Sequence, residues 1–148
     1  MARVARSRVI AATPQEIWRV AGDVRRLKRW WPHVTRVEID DRERFTEVLR
    51  TQRGRHLRAD FTLIEVRPEA GWRAAQELGT GPFAGVLSSH EKAIELAPEE
   101  GSGTRVTIII DRRMRGRARL GGLFARRAAA RQAQAALDAL AVAVDAAA

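Results

Sequence analysis

The stretch that most constrains this chain is its last quarter. From Arg117 to Asp145 the sequence reads as one helix. Ala, the best helix former, dominates it, Leu, Arg and Gln follow closely in propensity, and no Pro interrupts the run. Leu123, Ala130, Ala133, Leu137, Leu140, Ala141 and Val144 recur at helical spacing and are expected to share one face. That face is uneven, with Leu and Val in its C-terminal half and only Ala in its middle. A helix whose inner face thins to methyl groups either approaches its partner very closely or leaves space beside it. Gly121 and Gly122 each cost a helix about 1 kcal/mol relative to Ala, which places the start near Leu123 or makes the junction a hinge.

The rest of the chain supplies a partner. Residues 3–12 read as an edge strand, with Arg6 and Arg8 alternating with small residues. Thr13-Pro14-Gln15-Glu16 is a capping box with Pro at the first helical position. It opens a short helix whose Ile17, Trp18 and Val20 face inward and which Gly22 ends. Asp23 caps a second short helix, Val24 to Trp30, which Pro32 stops. From Val34 the period becomes two. Strands are expected at Val34–Asp40, Phe45–Thr51, a long run carrying Leu57, Ala59, Phe61 and Leu63 on one face, Trp72–Leu78, Val86–Leu96 and Thr104–Arg113. Short turns between them imply an antiparallel meander. The order is strand, two short helices, six strands, long helix, in one α+β domain over residues 1–148. The only large apolar element left to cover the buried face of the sheet is the last helix. A strongly curved sheet closing on it encloses a cavity.

Composition narrows the function. With 148 residues the chain is long enough for one real core. It contains no apolar run of about 18 residues, and its N-terminus lacks the apolar core of a signal peptide, so a cytoplasmic protein is expected. There is no Cys, hence no disulfide or thiol chemistry. Net charge is +9, and Lys28 and Lys92 are the only lysines. A basic chain suits anionic partners, but the Arg residues are spread along the whole sequence, as in a solvated coat. The densest group, Arg112, Arg113, Arg115, Arg117, Arg119, Arg126 and Arg127, flanks the start of the long helix and is the place where RNA or an anionic membrane would bind. His33, His56 and His90 lack metal-ligand spacing, so no metal is expected. Gly79-Thr-Gly-Pro-Phe-Ala84 fits G-x-G-x-x-A, but it leads into a strand rather than a helix, which excludes a dinucleotide site; no cofactor is expected.

Candidate chemical groups are few. His90 has the parity of Ile94 and Leu96, so it is placed inward, as a hydrogen-bonding group or a general acid/base near neutral pH; the plainer reading is a satisfied or surface His. Glu65 has the parity of Leu57 to Leu63, and burial would raise its pKa, but Leu63-Ile64 breaks the alternation and a surface position is the equal alternative. Arg127 and Gln134 sit a helical repeat apart beside the Ala face, where Arg127 would meet an anionic or carbonyl group or else stay in solvent. Residues 78–85 form a loop, read either as a lid with Phe83 as its apolar tip or as a plain turn.

Several stretches carry a family resemblance: Ile10-Ala-Ala-Thr-Pro-Gln-Glu-Ile-Trp18, Asp23-Val-Arg-Arg-Leu-Lys-Arg-Trp-Trp-Pro32, Gly103-Thr-Arg-Val-Thr107 and the closing basic Ala-rich helix. Their order and spacing resemble the START-like, Bet v 1-like helix-grip superfamily and, within it, the polyketide cyclase/dehydrase and lipid-transport family. The resemblance implies a curved antiparallel sheet of about seven strands wrapped around the C-terminal helix. It also implies that one of Trp30 and Trp31 lies over the pocket mouth. Thr80-Gly-Pro-Phe-Ala84 is similar to a loop of bacterial aromatic polyketide aromatase/cyclases, whose pocket holds aromatics and an Arg on the long central strand. Here Phe61 fits the aromatic position, while Glu65 falls near the place of the Arg. The first expectation is a cavity for a hydrophobic or aromatic small molecule, lipid or polyketide-like, lined by Trp31, Phe61, Leu63, Phe83, Leu123, Arg127, Ala130 and Gln134. The second is a cyclase or dehydrase in which His90 or Glu65 moves protons. The third is the basic adaptor for RNA or an anionic membrane.

Overall fold

In the computed structural model, which describes residues 2–79, 81 and 83–148, the chain forms a seven-stranded antiparallel sheet gripping one long helix. The strands are β1 (Ala2–Ile10), β2 (Val34–Ile39), β3 (Arg44–Arg50), β4 (His56–Arg67), β5 (Gly71–Gln76), β6 (Leu87–Pro98) and β7 (Thr104–Met114). Their order across the sheet is β1-β7-β6-β5-β4-β3-β2. From β2 to β7 each strand therefore pairs with its successor, and β1 closes the far edge against β7, from Ala2 opposite Arg112 to Ile10 opposite Thr104. At the β4–β5 turn Gly71 has φ +150°, and a Cβ there would lie 2.2 Å from the carbonyl oxygen of Ile94. Only glycine lets the hairpin approach β6 so closely.

The chain crosses from β1 to β2 through two short helices. Helix α1 (Pro14–Ala21) carries the expected capping box: Glu16 N–H donates to Thr13 Oγ1 at 3.1 Å and Thr13 N–H to Glu16 Oε1 at 3.4 Å. The second is a 3-10 helix, Val24–Arg29, capped by Asp23. It is tighter than the helix expected to reach Trp30. Ile17, Val20, Leu27 and Trp30 from this pair are buried. Trp72 Nε1 donates to Ala21 O at 2.7 Å and ties the pair to β5.

Helix α2 (Gly122–Ala147) follows a 3-10 turn, Gly116–Gly121, so the two glycines do mark the helix start. Ala129, Ala133, Ala136, Leu137 and Leu140 are fully buried, and Val144 nearly so. This part of the helix lies on β1 and β7, where Val106, Ile108 and Ile110 are fully buried beneath it. The methyl-only stripe thus marks a close approach from Ala129 onward. Toward the N-terminus the same kind of stripe opens onto space.

Ala133 tests this packing. Replacing its methyl by a larger side chain overfills a site with no free volume, at a cost of about 1–3 kcal/mol. Ala133→Leu is expected to lower the thermal midpoint by several degrees, as followed by circular dichroism; an unchanged midpoint would show that the helix stands off the sheet at this level too.

Candidate functional site

Between the first turns of α2 and the concave face of β3–β7 lies a cavity of about 500 Å³. Strand parity builds its floor. Phe45, Glu47 and Leu49 of β3 stand opposite Phe61, Ala59 and Leu57 of β4, Phe61 stands opposite Gln76, and His90 stands opposite Arg112. Leu49, Leu57, Ala59, Phe61, Leu87 and Met114 make an apolar wall. Ala125, Ala128 and Gln132 of α2 form the roof, and Trp31, Phe83 and Val86 close the sides. Phe45 stacks behind Phe61, with ring centroids 5.5 Å apart and planes 12° from parallel.

Six polar side chains converge on this apolar space: Glu47, Gln76, His90, Lys92, Arg112 and Gln132. Lys92 and Glu47, 1% and 2% exposed, form a buried ion pair. The Lys92 Nζ also lies 4.2 Å from the ring centre of Trp31 and 4.5 Å from that of Phe61, within cation–π range. Burial pulls the Lys92 ammonium below its ordinary pKa, and the Glu47 carboxylate opposes that pull. Arg112 Nη2 donates to Gln132 Oε1 and so joins β7 to the helix roof across the cavity.

His90 is 8% exposed. Its Nδ1 lies 2.8 Å from Gln76 Oε1, and its ring meets Phe61 edge-on at 5.7 Å. An amide oxygen can only accept, so Nδ1 carries the proton and Nε2 is a bare acceptor. That Nε2 is buried without a hydrogen-bond partner. Burial first, then the cations Arg112 and Lys92, hold the imidazole well below its ordinary pKa of 6.5. It is neutral near pH 7.

Of the residues singled out in the sequence, the structure brings Trp31, Phe61, Phe83 and His90 together in the cavity wall. The others lie elsewhere. Leu63 is on the concave face but beyond the cavity, in a groove with Val24 and Phe45. Glu65 is on the opposite face, exposed and paired with Arg67 at 3.0 Å. The pairing of β4 with β5 slips between Leu63 and Glu65, and a one-residue slip moves the following side chains to the other face. Leu123 is 61% exposed, and Arg127 and Gln134 are exposed, the latter donating to Asp138 at 3.0 Å. Ala130 is half-buried on the flank of the helix. The C-terminal part of the expected face holds, with Ala133, Leu137, Leu140 and Val144 buried, while toward the N-terminus the inner stripe runs through Ala125, Ala128, Ala129 and Gln132 rather than Leu123 and Ala130. A run of alanines has no size contrast to set its phase, and counting Leu123 as an inner residue rotated the expected face at that end.

The lid reading rested on Thr80-Gly-Pro-Phe-Ala84, of which Thr80 and Pro82 lie outside the described residues. Sequence reasoning missed Glu47, Gln76, Lys92, Arg112 and Gln132. Lys92 was detectable, because it shares the parity of His90, Ile94 and Leu96, and so was Glu47, between Phe45 and Leu49. Of the basic group, Arg112 is inside, whereas Arg115, Arg117, Arg119, Arg126 and Arg127 are exposed with Leu120, Leu123 and Phe124 around the start of α2. Among the described residues no three His, Asp or Glu side chains gather as a metal site, and no helix is long and apolar enough to cross a membrane.

Two outcomes are expected. The charged groups near His90 are Lys92 on its own strand, Arg112 on β7 and Glu47 on β3. Between the ordinary value of 6.5 and the lower folded value, the unfolded chain binds the His90 proton and the folded chain does not. Stability therefore falls as pH drops through that window, with a limiting slope of about 1.4 kcal/mol per pH unit from this one group, and His90 contributes no slope above it. Thermal midpoints from pH 8 to pH 5 should show this loss, reduced in His90→Phe. For the ion pair, Lys92→Met strands the Glu47 carboxylate, at a cost of about 3–5 kcal/mol. The double variant Glu47→Leu/Lys92→Met should recover most of that in urea unfolding; a double variant as unstable as the single would show that the pair itself holds the fold.

Known proteins share this architecture. A START superfamily protein from Mycobacterium smegmatis superimposes with a TM-score of 0.81 at 14% identity, over 98% of each chain. A protein from Thermus thermophilus does so with a TM-score of 0.76 at 25% identity, again over 98% of each. The di-domain ARO/CYC BexL of the BE-7585A biosynthetic pathway gives 0.79 at 20% identity, over 98% of this chain and 47% of that one. No curated protein matches the sequence. The family model described as polyketide cyclase/dehydrase and lipid transport matches residues 1–145, and the chain belongs to that family.

Proposed function

We propose that this protein binds an apolar or aromatic small molecule in the cavity between α2 and the sheet. The observation that carries the reading is an apolar, aromatic-walled space of about 500 Å³ onto which a few polar groups converge, the usual make-up of a small-molecule site. The buried Lys92–Glu47 pair supports it. Apolar side chains of similar size would stabilise a plain core at least as well, so charges kept here point to a use in the cavity. Nothing in this reading requires turnover.

A second reading is favoured by His90, a neutral imidazole in the wall of a space shared with two cations. In a cyclase or dehydrase, the His90 ring, turned so that the buried Nε2 enters the cavity, would take the proton from a carbon between two ketones. Lys92 or Arg112 would stabilise the enolate oxygen, and the enolate carbon would attack a second carbonyl held close by the walls. The alkoxide so formed takes back the proton held by His90, and loss of water from the ring already closed forms its double bond. The ARO/CYC designations of BexL and of StfQ from the steffimycin pathway belong to those proteins; their fold likeness makes the class worth assaying here.

A thermal-shift screen of fatty acids, sterol-like compounds and aromatic polyketides tests the first reading. A ligand at a hundredfold above its Kd stabilises by about 2.7 kcal/mol. Ala128→Phe, which fills the roof, is expected to retain the fold and abolish the shift; a shift that survives it would place the ligand elsewhere. For the second reading, His90→Phe should lower cyclisation by about 100-fold or more while affinity for the same compound changes far less. Binding without turnover in the wild-type protein would leave only the carrier.

A further inference from the structure

We infer that the entry to α2 is a docking surface for an anionic lipid bilayer, with Leu120, Leu123 and Phe124 inserting among the lipids and the arginines around them meeting the phosphates. The inference stands apart from the reading of the cavity, since none of these three apolar side chains lines it.

Both halves of the surface come from one stretch of sequence. Between Asp111 and Asp138 there are eight arginines and no Asp or Glu. The 3-10 turn runs directly into α2, and Leu120, Leu123, Phe124 and Arg127 recur at i, i+3, i+4 and i+7, the spacing of one helix face. That face looks away from the sheet, because Ala125 and Ala128 take the roof of the cavity. Leu120 is 90% exposed, Phe124 73% and Leu123 61%. Folding the chain leaves all three in water. Val86, also exposed, lies beside the same basic segment, where its carbonyl accepts from Arg115 N–H at 2.7 Å.

The arginines here differ from many on the rest of the surface. Arg8, Arg25, Arg58, Arg67 and Arg105 each meet a carboxylate. Among the described residues, Arg115, Arg117, Arg119, Arg126 and Arg127 are exposed and meet none. Arg112, Arg113, Arg115 and Arg119 line a recess of about 590 Å³ with Ser88, Met114 and two glycines, and no acidic side chain joins them among the described residues. A guanidinium presents a fork of donors that matches a phosphate. Apolar side chains standing among such cations suit a bilayer surface, where phosphates and acyl chains lie side by side. Other occupants suit the patch less well. A two-fold contact between copies of this chain sets the same arginines face to face. A nucleic acid meets the arginines but leaves Leu120 and Leu123, which offer no ring for a base to stack on, unused.

The test is co-sedimentation of the full chain with vesicles of phosphatidylcholine alone and of phosphatidylcholine with roughly one-third phosphatidylglycerol. The anionic vesicles are expected to bind at least about tenfold more tightly. Raising the salt from about 0.1 M to about 0.5 M should weaken that binding severalfold without abolishing it. Both side chains of Leu120→Ser/Phe124→Ser are exposed, so the double variant should keep the wild-type circular dichroism and lose at least about tenfold in affinity for the anionic vesicles. Phe124→Trp keeps the apolar tip and reports where it goes. Its emission should be quenched by lipids brominated on the acyl chains beyond any quenching of the wild type, whose Trp30, Trp31 and Trp72 are buried. Equal binding to the two kinds of vesicle, binding to neither, anionic binding kept in the folded double variant, or no added quenching in Phe124→Trp would each overturn the inference. Tighter binding to single-stranded RNA than to the anionic vesicles, unchanged in the double variant, would overturn it in favour of nucleic acid. A dimer that the double variant dissociates would overturn it in favour of a second copy. The ligand screen of the cavity is independent of all these results.

Discussion

One helix has to cover the concave face of a seven-stranded sheet, and it is not long or bulky enough to fill the space beneath it. Everything particular to this fold follows from that shortage. Where α2 lies on β1 and β7, its buried residues are small, the backbones come close, and the aliphatic side chains of β7 complete the packing. Toward its N-terminus the sheet curves away through β6, β5 and β4, and the alanines that allowed close contact no longer reach the opposite wall. The same residue type is core at Ala133 and cavity roof at Ala128 because the distance to the sheet changes, not the helix.

The polar groups are distributed accordingly. In the packed half nearly every inward side chain is apolar, and the buried hydroxyl of Thr104 is satisfied by Ala12 O at 2.7 Å. In the open half Glu47, Lys92, Arg112, Gln132, Gln76 and His90 are drawn inward and bonded in pairs: Glu47 with Lys92, Arg112 with Gln132, Gln76 with His90. Pairing is what makes charge tolerable at this depth. The Arg112–Gln132 bond also holds the standing-off part of α2 to β7, so the cavity has a fixed roof at that point. His90 Nε2 is left out of the pairing and is buried without a partner.

The architecture was legible in the sequence because it rests on strong local signals. The capping box at Thr13, the Asp23 cap, the change to a period of two at Val34 and the Pro-free Ala-rich tail each specify their element with little help from elsewhere. Strand parity makes the inward positions of Phe61 and His90 legible, whereas Trp31, which lies on no strand, is legible only through the family resemblance. Glu65 stays open in the sequence between an inward and a surface position, because of the Leu63-Ile64 break, and the slip in the β4–β5 register puts it on the surface. Leu123 and Gln134 lie off the expected inner face, and Arg127 takes the solvated one of its two positions, because on an alanine helix the inward direction is set by the tertiary contact and not by the residues. Lys92 and Glu47 were passed over because charged residues are rarely fully buried, and their burial becomes tolerable only through each other, across strands 45 positions apart in sequence.

The state of His90 bears on whether the cavity holds a molecule or transforms it. A general base works best when its pKa lies near the operating pH, since a weaker base has less driving force to take a proton from carbon. Burial and two neighbouring cations move His90 away from that optimum. The same influences improve a hydrogen-bond acceptor whose role is to stay neutral: they keep Nε2 unprotonated across the physiological range and let Gln76 fix the tautomer. A nitrogen in this setting receives a hydrogen bond more readily than it removes a proton. For the cavity to catalyse, bound substrate would have to raise the basicity of His90, as an enolate forming beside it would. On the proposed reading the wall serves recognition, and any chemistry would have to be driven by the charge that a substrate itself develops.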